Sequence, residues 1–187
     1  MNADGLVASV TFGGTPAQGE GFWIILMARY VLETCDRVSD AVHALCRIPV
    51  ALSQNVTVLD KTGTYATVCL TPDRAPSVSH ALVCANHQDP IDSVALTPAL
   101  SRSFERQNAA LRALEHPGVS LARLQETFLE APLYSQAAQS PTVYTAVYRP
   151  ATLTVDYLWP GHVMTQRIGS FTPGEYVHDY GDLGRPA

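Results

Sequence analysis

Charge is scarce in this chain: only 16% of its 187 residues are Asp, Glu, Lys or Arg, and 12 basic against 17 acidic residues give a formal charge of −5. No cluster of Lys and Arg is present, which excludes a phosphate-neutralising face and leaves neither nucleic acid nor an anionic membrane as an expected partner. Long hydrophobic runs are missing too. The longest, Phe22 to Ala28, stops at Arg29, and the stretch to Leu32 falls short of the roughly 20 residues needed to cross a bilayer. Nothing precedes Gly5 except Met1-Asn2-Ala3-Asp4, too little for the charged and apolar regions of a signal peptide, so a cytoplasmic location is expected. Cysteine pairing is also absent. Cys35, Cys46, Cys69 and Cys84 form no CxxC motif and sit in apolar segments, where a thiol behaves as a small hydrophobe; they are expected to be reduced and structural. His87-Gln88-Asp89 and His178-Asp179 lack a third ligand at fixed spacing, so no metal and no other cofactor is expected. Gly13-Gly14 is not followed by the Lys of a phosphate loop and reads as a turn.

What is present is apolar: 47% of the residues are hydrophobic. A chain of this length buries roughly 70% of its unfolded surface, enough for one self-sufficient core. Leu6 to Phe12 is β-branched and ends at Gly13-Gly14-Thr15-Pro16, which predicts a strand and a turn. Glu20 to Cys35 reads as a helix hydrophobic on nearly every face, the mark of a helix between layers. Asp36 is placed to cap a second, amphipathic helix through Val38, Ala41, Val42 and Leu45, ended by Ile48-Pro49. Three strands are expected next, Asn55 to Asp60, Thr64 to Thr71 and Ser79 to Ala85, with a tight turn at Lys61-Thr62-Gly63 and with Pro72, Pro76 and Pro90 marking loops. Ser101 or Ser103 opens a helix carrying Phe104, Leu111 and Leu114, and Ser120 caps another carrying Leu121, Leu124, Phe128 and Leu129. Strands follow at Thr142 to Arg149 and Ala151 to Trp159, joined at Pro150. The order β, αα, βββ, αα, ββ is α+β, mostly antiparallel, with residues 1–168 as one domain and 169–187 as a fraying tail.

The most site-like position is Asn86-His87, at the end of the predicted strand. An Asn amide there can donate to a developing oxyanion, the preorganised stabilisation that acyl transfer needs; the more ordinary reading is that it holds a turn, with His87 a solvated loop residue. A Cys84/His87 dyad is disfavoured, because residues three apart in a strand point to opposite faces. Cys46 and His43 share a helical face, which is more often packing than catalysis. Asn55 either points into the cleft of Asn86 or satisfies backbone at a strand entry. Arg106 and Arg149 read as isolated cations with surface or ion-pair roles.

Several segments, in order, carry a resemblance: Asn2-Ala3-Asp4-Gly5-Leu6 through Phe12-Gly13-Gly14, Arg29 to Cys35, Asp40-Ala41, Arg47-Ile48-Pro49-Val50, Gln54-Asn55, Asp60-Lys61-Thr62-Gly63, Ala85-Asn86-His87-Gln88 and Ser103-Phe104-Glu105-Arg106. From Asn2 to about Gly161 the chain resembles the acyl-CoA:6-aminopenicillanic acid acyltransferase family, the C45 autoproteolytic acyltransferases and hydrolases. The resemblance implies the αββα sandwich of the N-terminal-nucleophile hydrolases, of which this chain would be a partial copy. It also implies an acyl-enzyme formed on an N-terminal Cys from a linear amide or thioester. Asn86 falls on the family's Thr-Asn-His and is thereby the candidate oxyanion donor. Thr11 falls where related bile-salt hydrolases carry a second such Asn, so it is a weaker candidate. Apart from the resemblance, His87 and, more weakly, Asn55 are candidate substrate contacts.

Two departures accompany the resemblance: Ala85 stands for the usual Thr, and Thr11 for Asn. The family's nucleophilic Cys lies upstream of the Asn-x-x-Gly-Leu segment, and all four cysteines here lie downstream of it. The expectation is therefore the C-terminal portion of an acyltransferase or amidohydrolase, either a truncated product or one subunit completed by a separate N-terminal chain, with uncovered surface that invites self-association. The alternative is a non-catalytic remnant or partner subunit that only binds a small acyl or amide ligand.

Overall fold

A computed structural model describes residues 1–88, 102–137 and 141–179. The fold is α+β, with two antiparallel sheets and four helices among the described residues. The first sheet has the order β1 (Val7–Phe12), β2 (Gln54–Leu59), β3 (Tyr65–Thr71), β4 (Arg74–Ser79); the second is β5 (Thr145–Arg149), β6 (Thr154–Trp159), β7 (His162–Arg167).

Alternation decides the first sheet. Ala8, Val10, Val56, Val58, Ala66, Val68 and Leu70 share one face and pack into the main core with helices α1 (Ile24–Thr34) and α2 (Val38–Leu45). α1 lies against β1, and α2 against β2 and β3. The β2–β3 turn is the tight one expected: Asp60 N–H donates to Thr64 O (3.0 Å), and Gly63 takes φ +86°.

Five expectations need correction. The first helix begins at Ile24 rather than Glu20, because Gln18 and Phe22 form isolated bridges to Leu52 and Val50 instead, with a bend between them. It does not lie between layers. Ile24, Met27 and Val31 are buried, whereas Phe22, Trp23, Ile25, Leu26 and Tyr30 are all exposed. Asp36 does not cap α2; it pairs with Arg37, and Val38 N–H is received by Asp60 Oδ2 (3.1 Å) from the β2–β3 turn. The last strand of the meander is Arg74–Ser79, not Ser79 to Ala85. Pro76 sits inside it rather than in a loop. β4 is an edge strand, and its register jumps from Cys69↔Ser77 to Thr71↔Arg74, so Ala75 and Pro76 together oppose Leu70 in a bulge where no Pro N–H is needed.

The second half carries α3 (Ser103–Glu115) and α4 (Leu121–Thr127), the latter capped as expected by Ser120 Oγ accepting from Arg123 N–H (3.2 Å). The alternative opening at Ser101, and the loop marker Pro90, lie outside the described residues. β5 and β6 are joined by a 3-10 turn at Pro150–Thr152. Strand β7, which the expected order lacked, follows the Pro160-Gly161 turn, where Gly161 adopts φ +77°. Beyond it, residues 171–179 form neither helix nor strand, yet they are tied down: Gln166 exchanges two hydrogen bonds with Thr172 (2.9 and 3.1 Å), and Tyr176 stacks on His162 with centroids 3.7 Å apart.

Candidate functional site

The face of the first sheet turned away from the core is built of small polar side chains. Strand register sets them in two cross-strand rows, Thr11–Asn55–Cys69–Ser77 and Ser9–Thr57–Thr67–Ser79. Thr57 and Thr67 hydroxyls meet at 2.8 Å within the second row. Residues 82–88 cross above this face as a loop, and α3 and α4 flank it, which leaves two adjoining cavities of about 200 and 350 Å³. Their polar floor is Ser9, Thr11 and Thr57, and their walls are apolar, with Val83, Ala110, Leu114 and Phe128.

Asn55 organises the loop from below. Its side chain is buried, and Nδ2 lies within reach of four oxygens: Thr11 Oγ1 (3.1 Å), Phe12 O (3.4 Å), Ala85 O (3.1 Å) and His87 O (3.0 Å). Four acceptors around one nitrogen fix the amide orientation, since the flipped rotamer would set oxygen against oxygen. Thr11 Oγ1 donates to Ala85 O (3.1 Å) while accepting from Asn55, so its only proton is committed within the fold. The Cys84 thiol, 3.5 Å from Thr11 Oγ1, is then the donor of that contact. Ala85 takes part through its carbonyl, which accepts from Thr11 and Asn55.

Further clamps hold the loop from its other end. His87 Nδ1 meets Ser103 Oγ (2.8 Å), His87 Nε2 meets Gln107 Oε1 (2.9 Å), and the ring stacks on Phe104 at 4.1 Å. The expected solvated loop histidine is instead gripped by α3, with both ring nitrogens occupied. A Cys84/His87 dyad is therefore not formed, although the reason differs from the one expected, because Cys84 lies in a loop rather than a strand. Gln88 is buried, its Nε2 donating to Gln54 O (3.1 Å) and Leu70 O (3.2 Å) and its Oε1 accepting from Arg74. Gly13 and Gly14 are more than a turn. A Cβ on Gly13 would fall 2.1 Å from Ser53 Oγ, and one on Gly14, at φ +85°, would fall 2.9 Å from His87 Cα. Two glycines let β1 end against the 86–88 backbone.

Asn86 is the exception within this segment. Its neighbours 85, 87 and 88 are all held, whereas the Asn86 side chain has no hydrogen-bond partner among the described residues and lines the 200 Å³ cavity beside Thr11, Cys84 and Arg106. Arg106 is thus part of the cavity wall; partial burial, then Arg102 nearby, lowers its pKa, partly countered by Glu105. Arg149 lies elsewhere, paired with Asp156 on the second sheet. His43 contacts Arg47 (3.2 Å), and burial pushes the Cys46 thiol up. Among the described residues no three His, Cys, Asp or Glu side chains gather as metal ligands, and Asp89 lies outside them. No helix of the described residues is long and apolar enough to cross a membrane.

The model of the acyl-coenzyme A:6-aminopenicillanic acid acyl-transferase family matches residues 1–162. The chain belongs to that family. The match spans the whole first sheet, the Asn86 loop, both flanking helices and β6, and it ends as β7 begins. A comparison with curated proteins finds no match. Sequence reasoning missed Ser103, Gln107 and Gln88 as members of this cluster. Nothing in the spacing of His87, Ser103 and Gln107 signals that a ring will lie between the last two, because the contacts close over separations of 16 and 20 residues.

Proposed function

We propose that this chain carries the oxyanion-stabilising and acyl-binding part of an acyl-transfer site acting on linear amides or acyl thioesters. The observation that carries the reading is Asn86: a side-chain amide without a partner among the described residues, flanked by the fixed residues 85, 87 and 88 and opening onto a cavity with apolar walls. Rigid support is what a preorganised donor requires, because it spares reorganisation when charge develops on the carbonyl oxygen. The apolar walls suit an acyl chain, and Asn86 Nδ2–H suits the oxygen of its carbonyl. Thr11 acts through Ala85 rather than as a second donor, its proton being committed.

The reaction needs a nucleophile, and the resemblance points to an N-terminal Cys. None of the four cysteines bears a free α-amine. A Cys thiol supplied by a polypeptide segment outside these 187 residues gives its proton to its own α-amine and attacks the acyl carbon, and the oxyanion forms against Asn86. The C–N or C–S bond then breaks as the α-ammonium passes that proton to the departing amine or thiol, leaving an acyl-enzyme. An incoming amine or water then takes the acyl group and restores the thiol.

The test is to co-produce the full chain with the N-terminal-Cys segment of a family member and to follow thiol release from an acyl thioester with and without an amine acceptor. Turnover that falls about 10²–10³-fold in Asn86→Ala, mostly in kcat, is the expected result. A complex without turnover that still retains a fluorinated acyl amide would favour the alternative, a ligand-binding subunit. Neither complex nor acyl binding would sink both readings.

A further inference from the structure

The larger of the two adjoining cavities, about 350 Å³, is apolar on its walls and polar on its floor. Leu82, Val83, Leu114, Leu124 and Phe128 supply walls, and no Asp, Glu, Lys or Arg lines it among the described residues. The floor is Ser9 and Thr57, directly opposite each other in the second hydroxyl row, beside Thr11 of the first. Both keep hydrogen-bonding capacity. The Ser9 hydroxyl has no partner among the described residues, and the Thr57 hydroxyl meets that of the buried Thr67 (2.8 Å). If Thr67 donates, Thr57 keeps its proton for the cavity; if Thr57 donates, it keeps a lone pair. A ligand hydroxyl, donor and acceptor at once, satisfies either arrangement, whereas a bare acceptor suits only the first.

Taking the acyl-transfer reading as its premise, we infer that the site selects acyl groups that carry a neutral hydroxyl about six bonds beyond the carbonyl carbon. The spacing follows from strand geometry. Asn86 and Thr11 share the smaller cavity, Thr11 lines both, and Ser9 lies two residues from Thr11 on the same face of β1, about 7 Å away. An extended chain gains about 3.3–3.6 Å over three bonds. A chain whose carbonyl oxygen meets Asn86 and whose body follows β1 therefore reaches the Ser9–Thr57 pair after about six bonds. The methylenes between lie against Val83, Ala110 and Phe128, which line both cavities.

Other chain ends fit less well. A charged end would be desolvated among uncharged walls with no counter-ion, because Arg106 lines the smaller cavity and not the larger. A plain methyl end would cover the two hydroxyls without replacing the water on them.

The test compares, by calorimetry on the full chain, the anilide of hexanoic acid, the anilide of ω-hydroxyhexanoic acid and the mono-anilide of adipic acid. The hydroxylated compound is expected to bind about 5–10-fold more tightly than the hexanoyl one, the return of one or two hydrogen bonds. Ser9→Ala and Thr57→Val should each bring that ratio below about 3. Thr57→Val leaves Thr67 unpaired, so Ser9→Ala, at an exposed position, is the variant that keeps the test sound if the other fails to fold by circular dichroism. Asn86→Ala should weaken both neutral anilides by one factor and leave their ratio as it is. Equal affinities overturn the inference while the acyl-binding reading stands. Tightest binding of the adipic mono-anilide overturns it too, since a cation rather than the hydroxyl pair would then choose the acyl group. If none of the three binds, the acyl-binding reading itself fails and the inference falls with it.

Discussion

Asn55→Asp tests the support of the site most directly. The change keeps shape and volume but turns a donor into an acceptor in front of four oxygens 3.0–3.4 Å away. The amide has two hydrogens, so at most two of the four contacts are full hydrogen bonds; at about 1 kcal/mol each, their loss costs about 2 kcal/mol. A carboxylate facing carbonyls at a position 1% exposed is an uncompensated buried charge, worth about 3–5 kcal/mol unless it takes up a proton. The sum is limited by protonation, and a deficit of about 4 kcal/mol at pH 7 is expected, much of the roughly 5–15 kcal/mol by which a domain is stable.

The pH dependence gives the argument its sharper edge. The introduced carboxyl has a folded pKa raised above its unfolded value of about 3.9, so its penalty grows as pH rises from the unfolded towards the folded pKa and is least below both. Protonated, it can still donate one bond, and the deficit at pH 4 should shrink to about 2 kcal/mol. Urea unfolding by circular dichroism at pH 7 and pH 4 reads both values, with Asn55→Ala as the uncharged control, expected near 2–3 kcal/mol and independent of pH. A variant within about 1 kcal/mol of wild type at pH 7 would refute the four-acceptor geometry. A deficit that fails to narrow on acidification would refute the assignment of charge as its main cause.

Four further outcomes follow from the same contacts. Burial pulls the Asp60 carboxyl upward, but donation from the Thr62 hydroxyl and from the Val38, Thr62 and Thr64 backbone outweighs it, and its pKa lies below the ordinary carboxylate value. Its stabilisation is therefore present above the unfolded pKa and lost as pH falls through the folded one. Asp60→Asn should cost about 1–2 kcal/mol at neutral pH, and urea midpoints of variant and wild type should converge in strong acid. Gly14→Ala forces a Cβ to within 2.9 Å of His87 Cα at φ +85°, for an expected loss of about 1–3 kcal/mol and early loss of amide protection at residues 85–88. Asp156 accepts from Arg149 and from Thr165 (2.7 Å), and Asp156→Ala should destabilise the second sheet by about 1–3 kcal/mol in thermal unfolding. Gln166→Ala should free the segment after Thr172, detectable as faster proteolysis there with a melting temperature unchanged within a degree or two.

Strands with one buried face were legible because alternation is their cause as well as their sign: Val56, Val58, Ala66, Val68 and Leu70 read the same in the sequence and in the core. Where a boundary depends on backbone partners, the pattern fails. Phe22 and Trp23 continue the apolar run of α1, yet Phe22 N–H is taken by Pro49 O (2.8 Å), which keeps residues up to Trp23 out of the helix. Pro76 was misleading because Pro is a poor strand former everywhere except at an edge bulge. The fully apolar look of α1 suggested two buried faces, but its far side is exposed, and hydrophobicity alone does not say what covers a surface. At the site, the resemblance singled out Asn86 and Thr11; it did not reveal that Asn55 joins them through Ala85, a carbonyl whose side chain carries no signal.

The division of the first sheet into two faces explains why a free amide can exist there at all. Asn86 is half-buried, so leaving its amide without a protein partner costs less than the about 1–3 kcal/mol of a fully buried group. Here, the apolar face gives the sheet its stability against α1 and α2, and the hydroxyl face is left to hold a loop rather than a core. Asn55, Thr11, Gln88, Ser103 and Gln107 together tie residues 85, 87 and 88, which bracket position 86 from both sides. Those bonds hold the backbone on both sides of position 86 and so fix the direction in which its side chain leaves the loop. In the proposed reading, an amide presented from a backbone held in this way needs little reorganisation to donate to a carbonyl oxygen gaining negative charge.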